Sequence, residues 1–150
     1  IMKILVINGP NLNFLGIREP DIYGKQTYKD LCELINEKST KENIDIEIYQ
    51  SNHEGFIIDK LHEAYYKNVD AIIINPGAYT HYSYAIRDAI SSICIPTVEV
   101  HLSDIRKREN WRQGSVISDV CVKSFMGEHF KSYQNALDYL TNLERENNAK

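Results

Sequence analysis

Lys3–Asn8 has the sequence KILVIN, a short run of aliphatic and β-branched residues that passes directly into the turn-forming residues Gly9 and Pro10. Runs of this kind predict buried strands. Four more follow along the chain, at Ile44–Gln50, Ala71–Asn75, Pro96–His101 and Val120–Phe125. Each connection between them is long enough to hold a helix, which is what parallel strands require.

The connecting stretches carry apolar residues at helical spacing, in Tyr28–Ile35, Ile57–Tyr65, Tyr84–Ile93 and Tyr133–Leu143. Thr27 is expected to cap the first helix and Ser132 the last. Alternating strands and helices predict right-handed crossovers with helices on both faces of the sheet. We therefore predict an α/β fold, a flavodoxin-like doubly wound five-stranded parallel sheet in the order 2-1-3-4-5. We expect one domain over residues 1–150, with a frayed charged tail at 145–150.

The composition excludes several classes of protein. A net charge of -4 provides no basic surface for a phosphate backbone, so no nucleic-acid partner is expected. No apolar run approaches the roughly 18 residues that span a membrane, and no secretory signal is predicted at the N-terminus. Cys32, Cys94 and Cys121 show no metal-binding spacing, and we expect buried free thiols in a cytoplasmic protein.

Polar side chains are concentrated where the predicted strands end. The first four strands run out into NGPN, QSNHE, NPGAYTH and EVHLS. In open parallel sheets, ligands bind beyond the carboxyl ends of the strands, at the switch point between the first and third strands. Turn formation explains the Asn, Gly and Pro residues, but it does not explain Glu99, His81 and His101 as a group. We therefore predict a ligand site at this edge of the sheet.

The connection at residues 9–26 is longer than the usual strand–helix connection of about 2–6 residues. It contains Arg18 and Tyr23 between two glycines, Gly16 and Gly24. Two interpretations are open at this point. The segment is either a lid that closes over a ligand or a surface loop with solvated charges.

A basic cluster follows the fourth strand, with half of the chain's six arginines in the seven residues 106–112. A charge run of this kind is commonly a solvated surface, which is one interpretation of Arg106 and Lys107. In a chain of negative net charge, however, the position of the cluster beside the predicted site suits a small anionic ligand.

Several common sites are missing from the sequence. No GxGxxG or GxxxxGK[ST] follows the first strand, so neither a dinucleotide nor a nucleoside triphosphate is expected. His81 and His101 lack the spacing of a metal site. The residues alone therefore predict a small, anionic, polyhydroxylated ligand with no metal or cofactor. The alternatives are a non-catalytic domain that binds a small anion and a flavin-binding electron carrier, although residues 9–13 offer no hydroxyl to a flavin phosphate.

Six sequence blocks resemble those of the type II 3-dehydroquinate dehydratases, and the resemblance extends from Ile4 to about Leu140. The blocks are NGPNLNFLG (Asn8–Gly16), REPDIYG (Arg18–Gly24), QSNHEG (Gln50–Gly55), NPGAYTH (Asn75–His81), AIRDA (Ala85–Ala89) and VEVHLSDI (Val98–Ile105), followed by a weaker RENWRQGS (Arg108–Ser115). The resemblance implies a hydro-lyase of the shikimate pathway, which dehydrates 3-dehydroquinate to 3-dehydroshikimate without a metal, a cofactor or a covalent intermediate.

The resemblance also implies which residues act on the reacting atoms. Tyr23, as tyrosinate, takes the C2 proton, an enolate forms, and the C1 hydroxyl leaves by anti elimination with His101 as the acid. Arg18 favours the tyrosinate, Asn11 holds a water at the enolate oxygen, and Glu99 orients His101.

Other matching positions are implied to bind the substrate. Asn75, His81 and Arg112 correspond to residues that hold the ring hydroxyls. The backbone amides of Leu102 and Ser103, together with the Ser103 hydroxyl, correspond to the group that binds the carboxylate.

Asp88 has two interpretations. The sequence of its own helix, taken alone, indicates a solvated residue. The resemblance instead implies that it reaches the site of a neighbouring subunit in a trimer, and that four trimers form a dodecamer, so we expect a homo-oligomer.

A tyrosine base requires a large pKa shift. A free phenol has a pKa near 10, so a base that works near pH 7 needs a depression of about 3 units, or about 4 kcal/mol. Close guanidinium groups in a poorly solvated pocket favour the phenolate. A histidine base, His81 or His101, needs no such shift and is the alternative that residue type alone favours. The other tyrosine nearby, Tyr28, is expected in the core.

Three positions and one block depart from the family pattern. Asp104 stands where Asn is more usual and adds a negative charge beside the carboxylate-binding turn. Trp111 and Gly114 replace the usual Phe and His, and the Gly-rich block near the last strand is altered at residues 125–130. Asp104 is the departure expected to affect substrate affinity.

Overall fold

A computed structural model describes the backbone of residues 1–150 and the side chains of all of them except Ile22 and Tyr23. The predicted role of the Tyr23 side chain therefore lies outside the described residues. Five parallel strands form one sheet in the order β2-β1-β3-β4-β5. They are β1 Lys3–Asn8, β2 Asp45–Gln50, β3 Ala71–Asn75, β4 Thr97–His101 and β5 Lys123–Met126. The predicted fold class and strand order are confirmed.

The α-helices are α1 Pro20–Tyr23, α2 Tyr28–Lys41, α3 Glu54–Tyr66, α4 Tyr84–Ile93 and α5 Lys131–Asn148. The first four lie in the connections from β1 to β4, and α5 follows β5. Short 3-10 helices occupy the loops at Leu12–Phe14, Gly77–His81, Ile105–Lys107, Asn110–Arg112 and Ser118–Val120. The last helix continues to Asn148, so most of the tail that was expected to fray is helical.

The sheet separates two apolar cores. Alternate residues of β1 enter opposite cores: Ile4 and Val6 pack with α2 and α5, whereas Leu5 and Ile7 pack with α3 and α4. Strands β3 and β4 are buried along their whole length. Burial on both faces explains why the central strands are continuous apolar runs rather than alternating ones.

The predicted element ends were partly right. Thr27 caps α2 and forms a capping box with Asp30, as expected. Ser132 does not cap α5, because the helix begins one residue earlier and the buried Ser132 hydroxyl accepts a hydrogen bond from the Glu128 N–H at 3.3 Å. The predicted start of the last strand at Val120 is also wrong, since that residue ends a 3-10 turn and β5 begins at Lys123.

The three cysteines are free. The expectation that all are buried is wrong, because Cys94 is exposed at the end of α4 while Cys32 and Cys121 are half-buried. In the part of the chain that the structure describes, no helix is both long enough and apolar enough to cross a membrane.

Candidate active site

A cleft of about 230 Å³ opens at the carboxyl ends of β1, β3 and β4. The predicted site residues that line it are Asn11, Arg18, Asn75, His81, His101, Leu102, Ser103 and Arg112. Glu99 lies behind His101, and Asp88 lies elsewhere, exposed on α4. A volume of this size fits a small molecule rather than a dinucleotide.

The loops after β1 and β3 approach each other closely to form one side of the cleft. A Cβ on Gly9 would lie 2.5 Å from the Pro76 backbone, and one on Gly77, at a φ of +60°, would lie 3.0 Å from the Pro10 carbonyl oxygen. The Gly9 N–H donates to the Asn75 carbonyl at 2.7 Å. Only glycine permits this approach of two backbones.

Asn11 is held from the end of β2. Its φ of 69° is left-handed, a conformation that Asn tolerates, and its N–H donates to Asn52 Oδ1 at 3.1 Å. Gln50 Nε2 donates at 3.1 Å both to the same Asn52 oxygen and to the Gly9 carbonyl. Sequence analysis missed this role for Gln50 and Asn52, although both follow the strand-end pattern of polar side chains.

Glu99 and His101 form a buried pair on β4. His101 Nε2 lies 2.7 Å from Glu99 Oε2, and the Glu99 side chain is fully buried. Hydroxyl groups donate the remaining hydrogen bonds: Ser115 to Oε2 at 2.6 Å, Ser118 to Oε1 at 2.5 Å and Ser124 to Oε1 at 2.7 Å. Four donors therefore satisfy one buried carboxylate.

These partners decide the charge of Glu99. Burial alone would raise its pKa, but the hydrogen bonds and charge of His101 and the hydroxyls of Ser115 and Ser118 outweigh burial and lower the pKa to about 2. Glu99 is accordingly a carboxylate at neutral pH, and it fixes a proton on Nε2 of His101. The other ring nitrogen, Nδ1, is then the atom that can exchange a proton with a ligand.

We expect Glu99→Gln to remove part of the acid sensitivity of the protein. The folded pKa of about 2 lies below the usual value of 4.5, so ionised Glu99 stabilises the fold above about pH 4.5 and this stabilisation is lost as pH falls towards 2. The free energy of unfolding of Glu99→Gln should therefore fall less between pH 5 and pH 3 than that of the wild type, as measured by urea denaturation.

Glu63 provides the control for this measurement. Its pKa is also lowered to about 2, by the hydrogen bonds of Lys60 and Lys67. Glu63 is solvated, however, so salt screens its ion pairs and Glu63→Gln should change the acid dependence little. An equal effect of the two substitutions would contradict the special role of the buried pair.

Arg87, in the AIRDA block, holds the segment that carries two of these hydroxyls. Its guanidinium donates to the Val116 carbonyl at 3.0 Å and pairs with Asp119. The contacts tie α4 to the stretch that contains Ser115 and Ser118. Arg87 therefore supports the Glu99 pair from outside the cleft.

His81 also lines the cleft, with one ring nitrogen already engaged. Its Nδ1 lies 2.7 Å from the Gly114 carbonyl oxygen, which can only accept, so Nδ1 carries the proton and Nε2 remains as an acceptor. The family departure at Gly114 leaves this contact intact, because the contact uses a backbone oxygen and not a side chain.

Three arginines, Arg18, Arg108 and Arg112, line the cleft. Arg108 NH1 donates to the Ser103 hydroxyl at 3.4 Å, and sequence analysis did not separate it from its neighbours. Arg112 stacks over the Trp111 ring at 4.1 Å, and the ring itself lines the cleft. Trp111 in place of the usual Phe therefore keeps an aromatic ring beside Arg112.

Arg106 serves a different purpose. It donates to both carboxylate oxygens of Asp104, each at 2.9 Å, and its N–H donates to the same side chain at 3.0 Å. These hydrogen bonds lower the pKa of Asp104 to about 2 and pair its charge. The charge that Asp104 adds beside the cleft is thus matched by Arg106.

The sequence suggested three other candidates for the base: His101, His81 and Tyr28. His101 is bonded to Glu99 and His81 to a carbonyl, as described above. Tyr28 is half-buried at the start of α2, and burial raises its pKa to about 12 despite a hydrogen bond from Asn8. A raised pKa is the wrong direction for a base. Among the described side chains, no three His, Cys, Asp or Glu residues come together as they would around a metal ion.

Solved structures of known enzymes share this fold. A type II dehydroquinase from Butyrivibrio crossotus superposes with a TM-score of 0.92 at 57% identity, over 93% of this chain and 97% of that one. A type II dehydroquinase from Propionibacterium acnes gives a TM-score of 0.91 at 38% identity, over 95% and 97% of the two chains.

Sequence relatives agree with the structures. The 3-dehydroquinate dehydratase of Caldicellulosiruptor bescii is 58% identical over 135 residues, which are 90% of this chain and 93% of that protein. That of Lachnospira eligens is 53% identical over 143 residues, covering 95% and 97%. The family model described as "Dehydroquinase class II" matches residues 2–141. This chain belongs to the class II dehydroquinase family.

Proposed function

We propose that this protein is a hydro-lyase of the shikimate pathway that dehydrates 3-dehydroquinate to 3-dehydroshikimate. The observation that carries the proposal is the buried Glu99–His101 pair, whose imidazole opens into a small cleft lined by three arginines. This arrangement supplies a proton donor beside an anion-binding site. Family membership removes the reason for considering a flavin-binding electron carrier.

The carboxylate of the substrate binds at the turn after β4. The backbone N–H groups of Leu102 and Ser103 and the Ser103 hydroxyl are its donors. Arg108 supports this assignment, because its hydrogen bond to Ser103 Oγ occupies an acceptor lone pair and leaves the hydroxyl proton for the ligand. Asp104, paired with Arg106, does not oppose the bound anion.

The ring hydroxyls bind between three side chains with different hydrogen-bonding character. His81 Nε2 accepts, as its tautomer requires. Arg112 and Asn75 donate. A polyhydroxylated ring that both donates and accepts satisfies this set, whereas an apolar ligand would leave the three polar groups unpaired.

The elimination proceeds in two proton transfers. The Tyr23 oxygen takes the C2 proton, and the electrons of the C–H bond form an enolate that a water held by Asn11 stabilises. The C1–O bond then breaks, Nδ1 of His101 gives its proton to the departing hydroxyl, and a C1–C2 double bond forms with release of water. Glu99 stabilises the imidazolium before this transfer.

The segment at residues 9–26 acts as the lid. It is built from a 3-10 turn and the short helix α1, and Arg18 extends from it into the cleft. Closure would place Arg18 near a tyrosinate on the same segment and exclude water, which strengthens their attraction. A cytoplasmic location is also inferred, since the three free cysteines suit a reducing compartment.

The proposal is tested by adding 3-dehydroquinate to the purified protein and following the enone absorbance of 3-dehydroshikimate. We expect the absorbance to rise at an unchanged rate after dialysis against a chelator. Binding of 3-dehydroquinate without any rise in absorbance would contradict the proposal and support a non-catalytic domain that binds small anions.

The active form is proposed to be a homo-oligomer in which Asp88 contacts a neighbouring site. Asp88 is exposed on α4, away from the cleft of its own chain. A dodecamer of this 17.4 kDa chain would have a mass of about 210 kDa. We expect light scattering of the active enzyme to give a mass above about 100 kDa and the Asp88→Ala protein to bind substrate several-fold more weakly without unfolding.

Asp45→Ala is the matched control for Asp88→Ala, because Asp45 is an exposed aspartate at the amino end of β2. It should leave both mass and KM unchanged. A fully active monomer would exclude any contribution of Asp88 across an interface.

A further inference from the structure

A chain of hydrogen bonds runs from the cleft into the core through a tyrosine that the reaction does not use. The Gly77 N–H donates to Asn75 Oδ1 at 3.3 Å, and Asn75 Nδ2 donates to the Tyr133 hydroxyl at 3.0 Å. The Tyr133 hydroxyl donates to Asn8 Oδ1 at 2.6 Å, and Asn8 Nδ2 donates to the Tyr28 hydroxyl at 3.3 Å. The chain thus links the ends of β1 and β3 to α5 and α2.

The Gly77 N–H, at the start of the chain of hydrogen bonds, determines the direction of every bond after it. A backbone N–H can only donate, so the Asn75 atom that faces Gly77 is the oxygen and the other is the nitrogen. This nitrogen must donate to the Tyr133 oxygen. The Tyr133 proton is therefore committed to Asn8, and the Asn8 amide is oriented in turn.

The consequence for the cleft concerns the second hydrogen of Asn75 Nδ2. Among the described residues, none accepts it, and Asn75 lines the cleft. The oxygen of the same amide is occupied by Gly77. Asn75 can therefore present this N–H as a donor to a ligand.

The Tyr133 hydroxyl has no other evident purpose in the core. The side chain is fully buried among α5, β1 and β3 residues, where a phenylalanine ring would fill nearly the same space. A buried hydroxyl is unfavourable unless it is bonded, and both of its partners are asparagines at strand ends. Burial also raises the pKa of Tyr133, so the hydroxyl stays neutral and keeps both bonds.

We propose that Tyr133 is a positioning residue, which fixes the Asn75 amide so that its N–H points into the cleft and selects a substrate oxygen that accepts a hydrogen bond. This inference rests on the proposed function and adds a residue of α5 to the determinants of specificity. Tyr133 touches no substrate atom itself. Its effect should appear in substrate binding, and only while Asn75 is present.

The test is a double-mutant cycle of Tyr133→Phe and Asn75→Ala. Tyr133→Phe should raise KM about threefold to tenfold with kcat little changed, which is the usual range for one hydrogen bond. In the Asn75→Ala background, the same substitution should change KM less than about twofold. Dissociation constants for 3-dehydroshikimate, measured by calorimetry, should follow the same pattern.

Two variants control for general damage to the core. Tyr139→Phe changes a half-buried tyrosine on the same helix, which packs edge-to-face on Phe125, and it should leave KM unchanged. Asn8→Ala removes the acceptor of the Tyr133 proton without touching the cleft. It should raise KM in the same Asn75-dependent way, and it replaces Tyr133→Phe if that protein does not fold.

An unchanged KM in Tyr133→Phe, or a rise that persists in the Asn75→Ala background, would overturn the positioning role. If the wild-type enzyme is active, either of these results contradicts the positioning role of Tyr133 and leaves the proposed function standing. Absence of turnover in the wild type contradicts the proposed function, and the dissociation constants then still decide whether Tyr133 acts through Asn75.

Discussion

The His101→Ala enzyme is expected to bind substrate within a few-fold of the wild type and to lose turnover by about 10²–10⁴-fold, the usual contribution of a positioned general acid. His101 ends β4 in the cleft, and its Nε2 is bound to the buried Glu99 carboxylate. Alanine at this position leaves the departing hydroxyl without a proton donor, although the turn at Leu102 and Ser103, which we propose binds the carboxylate, remains.

Exchange of the C2 proton distinguishes loss of the acid from loss of the base. In D₂O, His101→Ala should still form the enolate, and substrate recovered from the reaction should contain deuterium at C2. Steady-state kinetics and NMR of the recovered substrate measure the two effects. His62→Ala, which changes an exposed histidine on α3, should alter neither, and wild-type turnover in His101→Ala would remove the acid role from His101.

The fold was predictable because its determinants are local. Each central strand is buried on both faces, so its sequence is an apolar run such as AIIIN at Ala71–Asn75, and the intervening helices repeat apolar residues at their own period. The site edge was predictable for a related reason. In a parallel sheet, the residues that follow the strands must meet at one edge, and those residues are polar here.

The features of the site that could not be predicted from the sequence depend on contacts between distant segments. The hydroxyls of Ser118 and Ser124 come from separate segments to one carboxylate, and their sequence positions carry no pattern. Arg106 and Arg108 lie in the same basic run of the sequence, but their side chains extend to different places. Arg106 pairs with Asp104, whereas Arg108 lines the cleft. Tyr133 fits the apolar period of α5, which conceals a hydroxyl bonded to two strand ends.

The departure at Asp104 illustrates how a local change is compensated in three dimensions. From the sequence, a carboxylate next to the anion-binding turn should repel the substrate. In the fold, Arg106 lies two residues away in a 3-10 turn and donates to both oxygens. Because the compensating residue is so close, the pair carries no net charge, and we expect Asp104 to cost little substrate affinity.

Tyr23→Phe is expected to remove nearly all turnover, by about 10²–10⁴-fold in kcat, while ligand binding stays within a few-fold. The substitution deletes the oxygen proposed to take the C2 proton. Arg18 and Arg108, which line the cleft, supply positive charge that favours a phenolate there. Stabilisation of that phenolate must reach about 4 kcal/mol for a base that works near pH 7.

For Tyr23→Phe, the expected result of deuterium exchange is the opposite of that for His101→Ala. Without the base no enolate forms, so substrate recovered from Tyr23→Phe in D₂O should contain no deuterium at C2. Tyr28→Phe is the matched control, because Tyr28 is the neighbouring tyrosine whose pKa burial raises to about 12, and it should retain turnover. If Tyr23→Phe exchanged deuterium as fast as the wild type, proton abstraction would have to be reassigned to a histidine of the cleft, and His81, with Nε2 available as an acceptor, would be the residue to test.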